Sequence, residues 1–298
     1  MSPLHALAAI GVAVAWGFNF VVIKVGLHDV PPLLFSALRF MIAAFPAVLL
    51  VGRPVVGWGL LVAIGLMLGV VKFGLLFIGM DVGASAGLAS LLLQAQVFFT
   101  IVLALLIHGE KPAAPQVVGM ALGVAGIALI GAQAGGGMTG AGFALVIGAA
   151  AAWAVANLLM RRLKGVNLLH FMVWMSLVPV LPLLALSAAV EGPARMAQAV
   201  AGLSWLGAGA VVYVGLVATV AGFAVWGRLL TLYPAATVTP FALLVPVVGL
   251  FSGWALLGES ITPAQMAGAA LVLGGLLLGV LGRRLPWPGR RPAAPTPP

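Results

Sequence analysis

The chain has 298 residues, 63% of them apolar and only 6% charged, which leaves far too little polar surface to clothe a soluble globule and places the protein in a membrane. It has no cysteine, so disulfides, thiolate metal sites and cysteine nucleophiles are excluded. The net charge of +9 would suit a nucleic-acid partner in a soluble chain, but here the basic residues follow membrane topology.

Apolar runs continuous for about 20 residues read as helices, since the strands of a membrane barrel alternate over roughly 10. Hydropathy, Pro/Gly punctuation and charge divide the chain into ten spans, at 4–25, 32–51, 58–80, 84–107, 115–132, 140–160, 168–190, 205–229, 235–257 and 263–282. The first is too long for a signal-peptide core and lacks a convincing cleavage site, so it counts as a span. Residues 283–298 form a Pro/Ala/Arg tail expected to be disordered and cytoplasmic. With the N-terminus in the cytoplasm, Arg53, Lys111, Arg161, Arg162, Lys164, Arg228, Arg283, Arg284, Arg290 and Arg291 share that side. Only Lys24 and Arg195 lie opposite. The positive-inside rule therefore predicts that both termini are cytoplasmic.

The chain repeats itself. Ala15-Trp16 followed by Asn19 is echoed by Ala152-Trp153 followed by Asn157, and Lys24 by Arg161. Gly109-Glu110 followed by Gln116-Val117-Val118-Gly119 matches Gly258-Glu259 followed by Gln265-Met266-Ala267-Gly268. Each half holds an odd number of spans, so the halves cross the membrane in opposite directions. Such an inverted repeat argues for alternating access in a transporter.

Ala15-Trp16-Gly17-Phe18-Asn19-Phe20-Val21-Val22-Ile23-Lys24, Ala37-Leu38-Arg39-Phe40, Leu88-Ala89-Ser90-Leu91-Leu92-Leu93-Gln94-Ala95-Gln96, Gly109-Glu110, Leu244-Val245-Pro246-Val247-Val248-Gly249 and Gly258-Glu259 occur in an order and spacing that resemble the drug/metabolite transporter superfamily. The match is to its bacterial EamA-type ten-helix exporters, including the YddG-like group. The resemblance implies an all-α integral membrane fold with two inverted five-helix repeats, at 4–132 and 140–282, around a central cavity. It also implies export of amino acids or related small zwitterionic metabolites across the inner membrane without ATP hydrolysis. The expected partners are a small-molecule substrate and membrane lipids, with no nucleic acid and no cofactor, in a monomer or weak homodimer.

The residues themselves mark candidates. Trp16 and Asn19 share a face of the first span with Phe20 and Ile23. Trp153 falls near mid-membrane in the sixth span, so two tryptophans facing each other across a pseudo-twofold axis would wall a cavity; packing roles are the alternative. Gln94 and Gln96 occupy the fourth span two residues apart, so one is expected to line the pathway and the other to bond a neighbouring helix. Ser90 joins the Gln94 face and Thr100 the Gln96 face. Arg39 and Lys72 lie roughly 12 Å deep, where facing lipid costs about 3 kcal/mol each. Arg39 has a structural alternative, bonding carbonyls of a neighbouring helix. Lys72 either meets a substrate carboxylate, snorkels outward, or pairs with Asp81. Pro46, Pro179, Pro182, Pro240 and Pro246 are expected to break spans, with Pro246 the best candidate for a carbonyl offered to substrate.

None of Asp29, Asp81, Glu110, Glu191 and Glu259 falls near a helix midpoint. Small multidrug antiporters of the resembled superfamily use a first-helix glutamate, and Trp16 and Asn19 stand in that region here, which disfavours cationic-drug antiport. No metal-ligand spacing, Gly-x-Ser-x-Gly or Walker loop is present, so the chain is not expected to be an enzyme or an ATP-driven pump. The remaining alternatives are transport of a sugar phosphate, lipid-linked sugar or drug and, after those, an integral-membrane enzyme.

Overall fold

The computed structural model describes residues 1–133, 138–163 and 165–282. Lys164 and the tail 283–298, both used in the topology argument, lie outside the described residues. Among the described residues, ten helices are long and apolar enough to cross a membrane: α1 Pro3–Gly26, α2 Pro32–Leu50, α3 Trp58–Asp81, α4 Ala86–His108, α5 Ala114–Ala132, α6 Gly140–Met160, α7 Leu168–Val190, α8 Trp205–Leu232, α9 Ala235–Leu257 and α10 Pro263–Leu281. A short amphipathic helix, Pro193–Ala201, joins α7 to α8. No strand occurs among the described residues.

Local chemistry sets the helix ends. Ser2, Ser85, Thr139, Asn167, Ser204 and Thr262 each accept a first-turn N–H through the side chain, satisfying donors that no helix can satisfy for itself. Gly109 and Gly258 end α4 and α9 with φ of +67° and +64°, a left-handed conformation that favours glycine. Gln116 and Gln265 reach back to accept the N–H of Ala113 and of Thr262, both at 3.0 Å. The sequence echo Gly…Gln thus marks a left-handed glycine and a reaching glutamine used twice, with Thr262 adding a side-chain acceptor that Ala113 lacks.

The repeat is exact enough to map a contact onto itself. A Cβ at Gly119 would lie 2.4 Å from the Gly275 carbonyl oxygen, and one at Gly275 2.3 Å from that of Gly119. Gly126 and Gly268 form the second close pair, at 2.5 and 2.8 Å. The repeat carries Gly119 to Gly268 and Gly126 to Gly275, so the two pairs exchange. This is the signature of a twofold relation between antiparallel α5 and α10, whose backbones meet because no side chain intervenes.

Three repeat-related pairs of spans are interrupted, whereas α1 and α6 run unbroken. A break follows Phe45 in α2, at a cis Phe45–Pro46 bond, and Val178–Pro179 divides α7. A π-helical segment, Gly65–Lys72, lies in α3, and another, Tyr213–Ala221, in α8. Turn residues Leu93 and Gln94 divide α4, and a 3-10 turn, Thr239–Leu243, divides α9. Pro182 and Pro246 sit in the first turns of Val180–Val190 and Leu244–Leu257, each directly after the interruption of its span.

Gly275→Ala is expected to lower the thermal unfolding midpoint of the detergent-solubilised protein. Gly279→Ala, where a Cβ meets nothing within 4 Å, should leave the midpoint unchanged or raise it through helix propensity.

Candidate substrate site

The π segment of α8 is one place where the two halves are joined in the interior. A π turn leaves backbone groups off the regular ladder and shifts side-chain phase, and the first half uses both consequences. Trp16 Nε1 donates to the Ala218 carbonyl at 2.8 Å, and Tyr213 Oη donates to the Ala15 carbonyl at 3.0 Å. Thr219 Oγ1 donates to the Val214 carbonyl, five residues back, at 2.8 Å. With its proton committed, this oxygen accepts from Arg39 Nη2 at 2.8 Å.

Arg39 is 3% exposed. Its guanidinium carbon lies 3.8 Å from the Phe73 ring centroid and 4.5 Å from that of Phe40. Nε and Nη1 are buried without an acceptor. The neighbouring helix therefore supplies a hydroxyl to Arg39, rather than the carbonyls expected.

Lys72, at the end of the α3 π segment, is 4% exposed. Its Nζ lies 3.2 Å from the Phe73 centroid and 4.6 Å from that of Trp153. The suggested Lys72–Asp81 pair is not formed: Asp81 is exposed at the end of α3, about 13 Å away along a helix rising 1.5 Å per residue. Lys72 does not snorkel either, since its ammonium is packed on aromatic faces inside the bundle. The π segment around it closes on α7: a Cβ at Gly65 would meet Val178, and one at Gly69 would meet Pro179, each at 2.6 Å.

The other candidates separate into distinct neighbourhoods. Trp16 packs against Phe223 and Trp226, at centroid distances of 5.3 and 5.2 Å. Trp153 stands beside Lys72, so the two indoles do not stack on one another. Asn19, on the same α1 face as Trp16, has a buried Oδ1 without a partner.

Gln96 accepts from Asn157 Nδ2 at 2.5 Å, and Asn157 Nδ2 lies 3.3 Å from Thr100 Oγ1. Gln96 is thus the glutamine bonded to a neighbouring helix. With Thr100, Asn157, Glu110 and Arg161, it lines a cavity of about 410 Å³ between α4, α5, α6 and α10. Gln94 is 8% exposed at the α4 break. Pro246 offers its carbonyl to Ser90 Oγ only at 3.5 Å.

At the face carrying the α1–α2 loop, carboxylates from one half cap helices of the other. The N–H groups of Leu33 and Leu34 donate to Glu191 at 2.7 and 3.1 Å, where α2 has no side-chain cap of its own. Those of Ala86 and Gly87 donate to Glu259 at 2.5 and 2.9 Å, and Ser204 donates to Asp29. Lys24 Nζ donates to the carbonyls of Met80 and Ala84 at 2.5 and 3.4 Å. A carboxylate at a helix N-terminus and a cation at a C-terminus are each favoured by the helix dipole. At the face carrying the N-terminus, Arg161 and Glu110 form an ion pair at 2.9 Å, and His5 Nδ1 lies 2.7 Å from Tyr233 Oη.

Sequence reasoning missed Thr219, Tyr213, Phe73 and the capping roles of Glu191 and Glu259. For Thr219 the available signal was an aliphatic hydroxyl in the middle of the long apolar eighth span.

Ten apolar helices in two inverted halves, joined at mid-depth by polar and aromatic groups, define a multi-pass membrane transporter. The chain belongs to the EamA-like transporter family, whose family model matches residues 4–132 and 140–281. It is 41% identical over 291 residues to a "Probable amino-acid metabolite efflux pump" of Salmonella typhimurium, covering 96% of this chain and 97% of that protein. A protein of the same name from Escherichia coli is 39% identical, covering 95% and 97%. A "Probable terminal-alkyne amino-acid exporter" of Streptantibioticus cattleyicolor is 29% identical, covering 93% and 95%. A solved crystal structure with 20% identity superposes with a TM-score of 0.61, covering 95% of this chain and 99% of that one, and shows the shared fold.

The chain has no native cysteine, so a single introduced thiol reports accessibility without background. In Ser90→Cys, Glu259→Ala should raise labelling by an impermeant maleimide about tenfold from the face on which Glu259 lies, since two charge-assisted hydrogen bonds across the halves are lost. Unchanged labelling would show that the caps do not hold that face shut.

Proposed function

We propose that the protein exports amino acids or closely related small zwitterionic metabolites across the bacterial inner membrane by alternating access. Both termini are cytoplasmic, and transport follows the solute gradient or exchange without ATP. The observation that carries this reading is the buried Arg39–Phe73–Lys72–Trp153 cluster. Cations without a buried acid suit a carboxylate, and the Trp153 indole beside Lys72 offers an aromatic wall to the rest of the solute. The names of the relatives support the same substrate class. The cross-half carboxylate caps support a state closed on the periplasmic side, with Glu191, Glu259 and Asp29 as the groups released when it opens.

In the proposed roles, Lys72 meets the carboxylate, Arg39 sets the local field, and Trp16, Asn19, Gln94 and Trp153 shape the binding space. Gln96 and Asn157 line the cytoplasmic approach. Asp81 remains at the periplasmic surface, and Pro246 shapes the α9 break. The chain acts as a monomer or weak homodimer.

Counterflow in proteoliposomes against a panel of labelled amino acids tests this reading. Lys72→Met, Trp16→Ala and Gln94→Ala should each reduce transport about tenfold or more while folded yield is retained. Equal loss of folded protein would return these residues to packing roles. Counterflow only of sugar phosphates would replace the substrate class.

A further inference from the structure

Phe73 carries a cation on each of two contacts: Arg39 Cζ is 3.8 Å and Lys72 Nζ 3.2 Å from its centroid. The two cations are therefore at most about 7 Å apart, whatever faces of the ring they occupy. Both side chains are more than nine-tenths buried. The five acidic residues of the whole sequence are Asp29, Asp81, Glu110, Glu191 and Glu259. The described structure places each at a helix end or in a loop, and none faces the pair.

The hydrogen-bond inventory is equally one-sided. Arg39 has one acceptor, Thr219 Oγ1, and two buried nitrogens without any. Among the described residues, the contacts of the Lys72 ammonium are the Phe73 and Trp153 rings. Cation–π contacts offset part of the desolvation of a buried charge, but a fully compensated buried cation needs an anion and hydrogen-bond acceptors.

A zwitterion brings no net charge to such a site, and its own ammonium is repelled by both cations. A carboxylate whose amine is acylated brings one negative charge and leaves an amide, which carries no repelled group. The rings of Phe40, Phe73, Phe77 and Trp153 around the cations suit the apolar part of an acyl group.

We infer that the Arg39–Lys72 pair selects net-anionic carboxylates, with N-acylated amino acids as the preferred chemical class over the free amino acids, and that export is driven by the membrane potential. This rests on the proposed export of amino-acid-class solutes and narrows it. A bacterial interior is negative, so an anion leaves down the potential with no coupling ion. A monoanion at equilibrium across about 60 mV reaches a tenfold outward gradient. A species transported as a zwitterion gains nothing from the potential.

The test uses the full-length protein in proteoliposomes with alanine, leucine and phenylalanine, each compared with its N-acetyl derivative. The N-acetyl form is expected to show a half-saturation at least about tenfold lower, the repulsion of one ammonium within several ångströms of two cations. Its efflux should accelerate when potassium and valinomycin set the lumen negative. Lys72→Gln, checked for a monodisperse folded peak, should bring the preference ratio toward one. Arg39→Lys supplies a second variant that keeps the charge, and it should preserve the preference.

Equal use of free and acylated forms, or efflux indifferent to the potential, would overturn the inference while leaving amino-acid export standing. Transport of neither form would overturn the export reading and the inference together.

Discussion

Inside the hydrocarbon layer no water is available to a polar group, so each interior donor and acceptor has to be met by protein or pay for its isolation. Between its halves this chain meets that demand at the Gln96–Asn157 pair and, most extensively, at the π segment of α8. That segment presents the Ala218 carbonyl to Trp16 and the Thr219 hydroxyl to Arg39 within two consecutive residues. A regular helix would direct these groups along its own ladder. The irregularity therefore lets the first half bond to the second at depth, and it leaves Arg39 only partly satisfied.

The two ends of the molecule solve a different problem. At the face proposed to be periplasmic, the halves are tied by carboxylates on helix N-termini, an interaction that is directional and charge-assisted yet reversible when water enters. Between the ends, glycine contacts hold α5 against α10 as a fixed twofold pair. Rigid glycine packing on one side and exchangeable caps on the other are the two ingredients that rocking of inverted halves requires.

Hydropathy is local, so ten spans were legible in the sequence, and so was the repeat of Gly-Glu and Gln, because short caps have fixed spacing. Arg39 and Lys72 stood out as charges in apolar runs. Their surroundings did not: the Arg39 partner Thr219 is 180 residues away, and a π segment has no residue signature comparable to proline. Proline was the more legible marker, since Pro46, Pro179 and Pro240 each lie at an interruption of their span and Pro246 follows one within a turn. Gln94 and Gln96 could be assigned to different sides, but choosing between them needed the break between the α4 segments and the position of Asn157. Glu191 and Glu259 read as loop acids because the helices they cap belong to the other half.

The central claim is that solute binds where the two buried cations share Phe73. The direct measurement is an experimental structure with a bromine-bearing N-acylamino acid, located by its anomalous signal. The account predicts the carboxylate within about 4 Å of Lys72 Nζ and the halogenated acyl group among Phe40, Phe73 and Trp153. A solute seated instead in the Gln96–Asn157 cavity, with the Arg39–Lys72 cluster empty, would contradict it.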